Sequence, residues 1–545
     1  MRRIRAAETA ILAALVVLSL PAWLPVGIGL GSALFDARAR ADMPAWTGRG
    51  TVLLQTTGLA LLVASCATIL AAPMAQVLRT SGLRTAALLM APVWIPAWLM
   101  YAGLNLARAP DTLVGAAFMD WALDPEQAWW GESNRWAIVA LGRTLAVGAM
   151  VLWSTPIAAL VMAGVEDPDA DAAAELARTD PLGRAARVRV ALRLRAGAIA
   201  LSVVVIALLT MGSAVPLHLA QVETDAIALW RALSERPVTR WGGVWLAAWP
   251  HVLIAGCGAW WIASRLGRRA PAGTAPAGPG ATRAGPTTRT LAWLVWSLAG
   301  VLPLALMLWS LDDLASVGRW VRMDSAALFA SAQVAGAGAT LAALLGVAVA
   351  ASCGSSSRVA RAMGRSAAAA GLFGALVPGV LVGAAIAGIG LSGHAGGGLG
   401  SVLAAGARVA CVGVIAGLVV ARSEPADEHA ARAIDGAGDA FGWLRANQWR
   451  AWRLGLGAWL GAFVLALHEI EASVMVRPPG RGNLPQQMLA DLHYARLEQL
   501  SAGGVVLGLL GIGFGIAAGA ALAAGARRRL GDRPNRPNNP GPRQP

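Results

Sequence analysis

Twelve runs of mostly apolar residues, parted by short polar segments, decide what this chain can fold into. A helix needs about 20 such residues to cross the hydrocarbon core of a bilayer. The runs occupy 10–30, 52–77, 85–106, 136–163, 196–215, 244–264, 291–311, 326–353, 367–391, 400–421, 454–476 and 502–524. Of the 545 residues, 57% are hydrophobic and only 14% charged, whereas soluble domains carry about 25% charged residues. The expected fold is an all-α polytopic membrane protein with twelve transmembrane helices. The first run follows Met1-Arg2-Arg3-Ile4-Arg5 and exceeds the roughly 7–15 apolar residues of a signal peptide, so it is read as an uncleaved anchor.

All 45 basic residues are Arg. Without Lys the chain cannot form a P-loop, whose lysine holds nucleotide phosphates, nor a Schiff base; any ATP would have to be bound by another subunit. With both termini inside, cytoplasmic segments hold 30 Arg and outer loops 13, while Arg143 and Arg408 lie within apolar runs. That bias follows the positive-inside rule and accounts for the net charge of +15 without a nucleic-acid partner. The partner it implies is the lipid bilayer. Cys66, Cys257, Cys353 and Cys411 each stand alone in an apolar run, with no metal-ligand spacing. No cofactor fingerprint is present, and no metal site is expected.

Residues 265–290 hold four Pro, repeated Gly and five Arg, a composition that reads as a flexible linker. It separates a first six-span half (1–264) from a second (291–526), and a basic, Pro/Asn-rich tail (527–545) is expected to be disordered. The halves share a layout. In each, the longest inner loop follows the fourth run, at 164–195 and 422–453, and contains an acidic, Ala-rich helix signal followed by an arginine-rich stretch. Prolines mark the third run of both: Pro92 and Pro96 in one, Pro378-Gly379 in the other. Parallel repeats of this kind are common among transporters.

The second-half loop reads as a helix from Asp427 to Ile434, a turn at Asp435-Gly436-Ala437-Gly438, and a second amphipathic element from Phe441. It resembles the E-A-A…G motif of ABC-transporter inner-membrane permeases, the binding-protein-dependent importers with a MetI-like fold. Ala430, Ala431, Arg432, Asp435, Gly436, Ala437 and Gly438 fall on that motif, with Ala430 in place of its leading Glu and Glu428 two residues earlier. In the first half Glu175, Leu176, Ala177 and Arg178 can be set on E-A-A, which puts Asp180-Pro181 at the turn; other registers also fit. The segment Ala466-Leu467-His468-Glu469-Ile470-Glu471-Ala472-Ser473, then Pro479 and Leu484-Pro485, looks like the corresponding stretch of iron(III)/thiamine-type permeases, which are also fused duplications. The resemblance implies a coupling helix that seats in an ATPase subunit, two copies of that ATPase, and ATP hydrolysis there rather than here. It further implies an extracytoplasmic solute-binding protein and residence in a bacterial inner membrane with both termini cytoplasmic.

His468, Glu469, Glu471 and Ser473 cluster late in the eleventh run. Charged groups inside a bilayer tend to face a cavity or a partner, so these residues are candidates for the translocation path; the other reading places them, solvated, at the outer headgroups. Asp111, Asp120, Asp124, Glu126 and Glu132 in the outer loop between the third and fourth runs would suit an external glycosyltransferase centre. Their Trp neighbours are equally explained by the membrane interface. An ion-gradient-driven six-plus-six transporter is the main alternative to the importer.

Overall fold

In the computed structural model, residues 2–36, 38–39, 49–110, 113–129, 134–164, 183–213, 215–267, 284–391, 398–477 and 483–531 are described. The first half contains α1 (Arg2–Phe35), α2 (Arg49–Thr80), α3 (Leu83–Leu89), α4 (Ala97–Asn105), α5 (Leu113–Leu123), α6 (Arg135–Gly164), α7 (Arg184–Leu194), α8 (Ala196–Met211), α9 (Val215–Leu219), α10 (Asp225–Ser234) and α11 (Gly242–Leu266). The second contains α12 (Pro286–Trp296), α13 (Leu302–Trp309), α14 (Ala315–Gly354), α15 (Arg358–Leu376), α16 (Gly379–Gly388), α17 (Leu399–Arg422), α18 (Ala426–Ile434), α19 (Ala440–Ala446), α20 (Gln448–Leu467), α21 (Ser473–Val476), α22 (Leu484–His493) and α23 (Leu497–Gly531). No strand occurs among the described residues.

Eight of these helical segments are long and apolar enough to cross a membrane, nine if α15 and α16, bent by 105°, count as one span. The remaining three of the twelve apolar runs are interrupted. The third is α3, a 3-10 turn at Ala91–Trp94 and α4, parted where Pro92 and Pro96 withhold backbone donors. The fifth reaches only Met211, and the eleventh stops at Leu467 before the polar stretch His468–Glu471. Broken helices are tolerated at membrane depth when protein covers the freed backbone, and here it does. The helix of the seventh run also begins inside the expected linker of 265–290: α12 starts at Pro286, with proline at its first position.

The order of elements in the second half repeats that of the first. A long helix, a broken pair, another long helix, a helix ending in a short turn, a surface helix and a final long helix follow one another in both. The first helices reach across: α1 packs on α14, α15, α16 and α17 of the second half as well as on α11 of its own, and α12 packs on α2 of the first. Both large apolar cores therefore mix residues of the two halves, such as Ala64 with Ala339 and Val26 with Leu381. The closest helix pair, α14 with α17, touches through small residues. A β-carbon on Gly413 or Gly417 would run into the Ala342 or Gly346 carbonyl of α14, so these glycines set the approach of the two backbones. Outside, Leu54 is 74% exposed and Ile69 71%, a surface suited to hydrocarbon and not to water.

Candidate functional site

The loop after α17 folds into a small knob. Asp427 and Glu428 occupy the first turn of α18, where the helix dipole favours negative charge. Its other end closes in a Schellman motif: Ala437 N–H donates to the Arg432 carbonyl (3.0 Å) and Gly436 N–H to that of Ala433 (3.3 Å). Gly436 has φ +73°, the left-handed geometry that glycine adopts without strain. Asp439 then caps α19 by accepting from Gly442 N–H.

Two side chains bind the knob to the bundle. Arg432, 6% exposed, donates to both oxygens of Glu424 (3.1 Å each), to the Ala437 carbonyl (2.6 Å) and to the Gly354 carbonyl at the end of α14 (2.7 Å). Trp443 is fully buried against Gly354, where a β-carbon would approach its indole to 2.9 Å or less. Ala350, Ala351, Ala440, Ala451 and Leu454 complete this small core, with Ile11 of α1 against it. Ala430, Ala431, Asp435 and Gly436 face outward, and Ile434 is 85% exposed. Arg432, placed by sequence on the partner-facing motif, thus points into the knob and positions it. Of the two residues that hold the knob from inside, Trp443 was legible only as part of the second amphipathic element, and Glu424 was not singled out by the sequence. Glu175, Leu176, Ala177, Arg178 and Asp180 lie outside the described residues.

His468, Glu469, Glu471 and Ser473 do come together, at the break between α20 and α21. Glu469 accepts from the N–H groups of Ala472 (2.7 Å) and Ser473 (3.0 Å), satisfying the first turn of α21. Ser473 Oγ donates to the Ile470 carbonyl at 2.9 Å. Arg408 of α17 joins them. It donates to the carbonyls of Gly374, Ala375 and Val377 (3.2, 3.0 and 2.7 Å), which the bend at Pro378 leaves without helical partners. Its other contacts are Glu471 at 3.4 Å and Glu469 at 3.9 Å. Glu471 also accepts from Val215 N–H, the start of α9, at 3.4 Å. One guanidinium and two carboxylates thereby tie together three helix breaks, one of them in the other half. The His468 imidazole is buried with no hydrogen-bond partner on either nitrogen among the described residues, while its carbonyl accepts from Trp98 Nε1 at 3.4 Å. Arg143, by contrast, lies exposed on α6.

A second buried pair has no sequence signal. His251 Nδ1 lies 3.1 Å from Asp225 Oδ2, both nearly inaccessible, and Asp225 N–H donates to Thr56 Oγ1 at 2.9 Å. In the outer loop, Asp124 caps the turn at Pro125–Gln127 and binds Gln127, and Trp121 meets Trp129 edge-on at 5.7 Å. Asp120 is exposed, and Asp111 and Glu132 lie outside the described residues. Local capping accounts for Asp124 without catalysis. The chain matches no protein-family profile, no curated protein and no solved structure.

Proposed function

We propose that this chain is the permease subunit of an ATP-driven ABC importer, built from two MetI-like halves of six spans each and moving a small solute such as iron(III) or a thiamine-like cation. A separate ATPase, in two copies, binds the ATP; an extracytoplasmic binding protein delivers the solute; this subunit catalyses no chemistry and holds no cofactor. It sits in a bacterial inner membrane with both termini on the ATPase side.

The observation that carries this reading is the knob: a short helix with an exposed Ala430–Ala431–Ile434 face, fixed rigidly by Arg432 and Trp443 to α14, α19 and α20. Force applied to that face passes through Gly354 into α14 and through α20 to the break at His468–Ala472. Closure of an ATPase dimer would pull the knob inward, and the Arg408–Glu471–Val215 contact between halves is the junction such a movement must rearrange.

The test is gentle purification with mass spectrometry of co-purifying proteins, with Ile434→Asp as the comparison. A near-stoichiometric ATP-binding subunit that is lost from the Ile434→Asp complex supports the reading. A chain that inserts and remains monodisperse without any such subunit, even after crosslinking in the membrane, refutes it. The buried Asp225–His251 pair favours a second reading, an ion-gradient-driven transporter, because titratable pairs inside a membrane commonly mark proton or ion pathways. Solute uptake driven by a proton gradient in vesicles containing this chain alone would select it.

A further inference from the structure

Segments that follow the fifth and the eleventh runs meet at the end of the bundle remote from the knob. Leu522 of α23 lies against Gly457 of α20, near the knob, so the opposite terminus of α23 at Leu497, and His493 just before it, belong to the other end. There His218 of α9 and His493 of α22 come from opposite halves of the chain and lie with ring centroids 6.4 Å apart and planes 23° apart. Trp230 of α10 meets His218 edge-on at 5.2 Å.

Burial first, then His493 and Arg231, hold the His218 imidazolium pKa below its ordinary range. The charges around the pair already have partners. Arg231 binds Glu223 at 3.1 Å, and Arg496 lies 3.7 Å from Asp491. On α14, against α22, Asp324 binds Gln487 and Arg319 binds Asp313 and Glu498, with Arg322 the remaining charge. Of the helices packed on α9, α4 has no charged residue and α6 only Arg135 and Arg143.

We propose that His218, seated beside His493 of the other half, is a proton-operated latch between the halves: its neutral imidazole lets α9 rest against α22, and a charge gained there drives the two segments apart and opens this end of the bundle. The contact disfavours the charged form, so it is fully present above the ordinary imidazole pKa of about 6.5 and is lost as pH falls through the lowered value. The latch operates with or without an ATPase, so its failure leaves the importer reading untouched.

The experiment is hydrogen–deuterium exchange on the full chain in lipid nanodiscs at about pH 7.5 and about pH 5.0, either side of the imidazole range, with exchange times scaled for intrinsic rates. Peptides covering 215–234 and 484–496 should lose protection about tenfold at the lower pH, while knob peptides covering 424–446 hold theirs. His493 is exposed, so its substitution leaves the fold in place. His493→Gln should stay protected at both pH values, and His493→Arg should exchange at the higher pH as the wild type does at the lower. Equal protection at both pH values in the wild type, a loss that persists in His493→Gln, normal protection in His493→Arg, or a parallel loss in the knob each overturns the latch.

Discussion

Replacing Arg432 by Met should release the knob without unfolding the bundle. The guanidinium is the hub of a buried set: both Glu424 oxygens, the Ala437 carbonyl and the Gly354 carbonyl accept from it, and Glu424 is itself only 4% exposed. Methionine leaves that carboxylate with His429, 3.4 Å away, as its remaining ionisable neighbour. Breaking one side of a buried pair costs about 3–5 kcal/mol. At 1.36 kcal/mol per decade, that is roughly a 160- to 5,000-fold rise in the local opening constant. Exchange of peptides covering 424–446 reads it directly, with peptides from α14 and α17 as internal references. The double variant Arg432→Met/Glu424→Leu should recover most of the protection, because an apolar pair of similar volume removes the stranded charge. Less than about threefold faster exchange in the single variant, or a double variant as open as the single, would show that the pair does not hold the knob.

Gly436→Ala adds a β-carbon in open space but demands φ +73° of an L-residue; it should destabilise the knob by about 1–2 kcal/mol, with Gly436→Leu costing nearly the same, read by the same exchange assay. Trp443→Ala empties the fully buried site beneath Gly354 and should cost about 3–5 kcal/mol, visible as a lower thermal midpoint in detergent. Asp124→Ala should weaken its outer turn by about 0.5–2 kcal/mol, read as faster exchange in peptides covering 121–129; unchanged exchange there would show that the cap does not hold the turn. Asp313 accepts from Arg319 and Ser316, which hold its carboxyl pKa below the ordinary value. Its contribution is therefore complete above about pH 3.9 and fades only as pH falls through the lowered value, so exchange in the first turn of α14 should show no pH-specific change between about pH 5 and 8.

The all-helical membrane character was legible because hydropathy reports directly on the solvent a helix will meet. The turn at Gly436 was legible too, since a glycine after an Ala-rich helix announces a left-handed cap. Helix interruptions were harder to see. Pro92, Pro96 and Pro378 are visible in sequence, but whether proline kinks a span or divides it depends on what receives the freed carbonyls, and for Pro378 that is Arg408, some 30 residues away. The His468–Ser473 cluster was found as polar residues in an apolar run; its junction with Val215 was not, because a carboxylate bonding a distant backbone N–H leaves no pattern. Asp225 and His251 escaped for the same reason, and Arg432 was placed correctly in the chain while its inward direction depended on Gly354.

The reach of the first helices across the halves also bears on how the chain is made. The face of α1 that finally rests on α14 has no protein partner when it enters the bilayer, because α14 begins only at Ala315. At synthesis rates of about 5–20 residues per second, the wait lasts roughly 15–60 seconds. Throughout that interval α1 of the finished N-terminal half rests only on α11, and its remaining face is covered by lipid or by an insertion factor. Assembly is completed from the last half backward, and a chain that stalls in the linker would leave one face of its first helix uncovered.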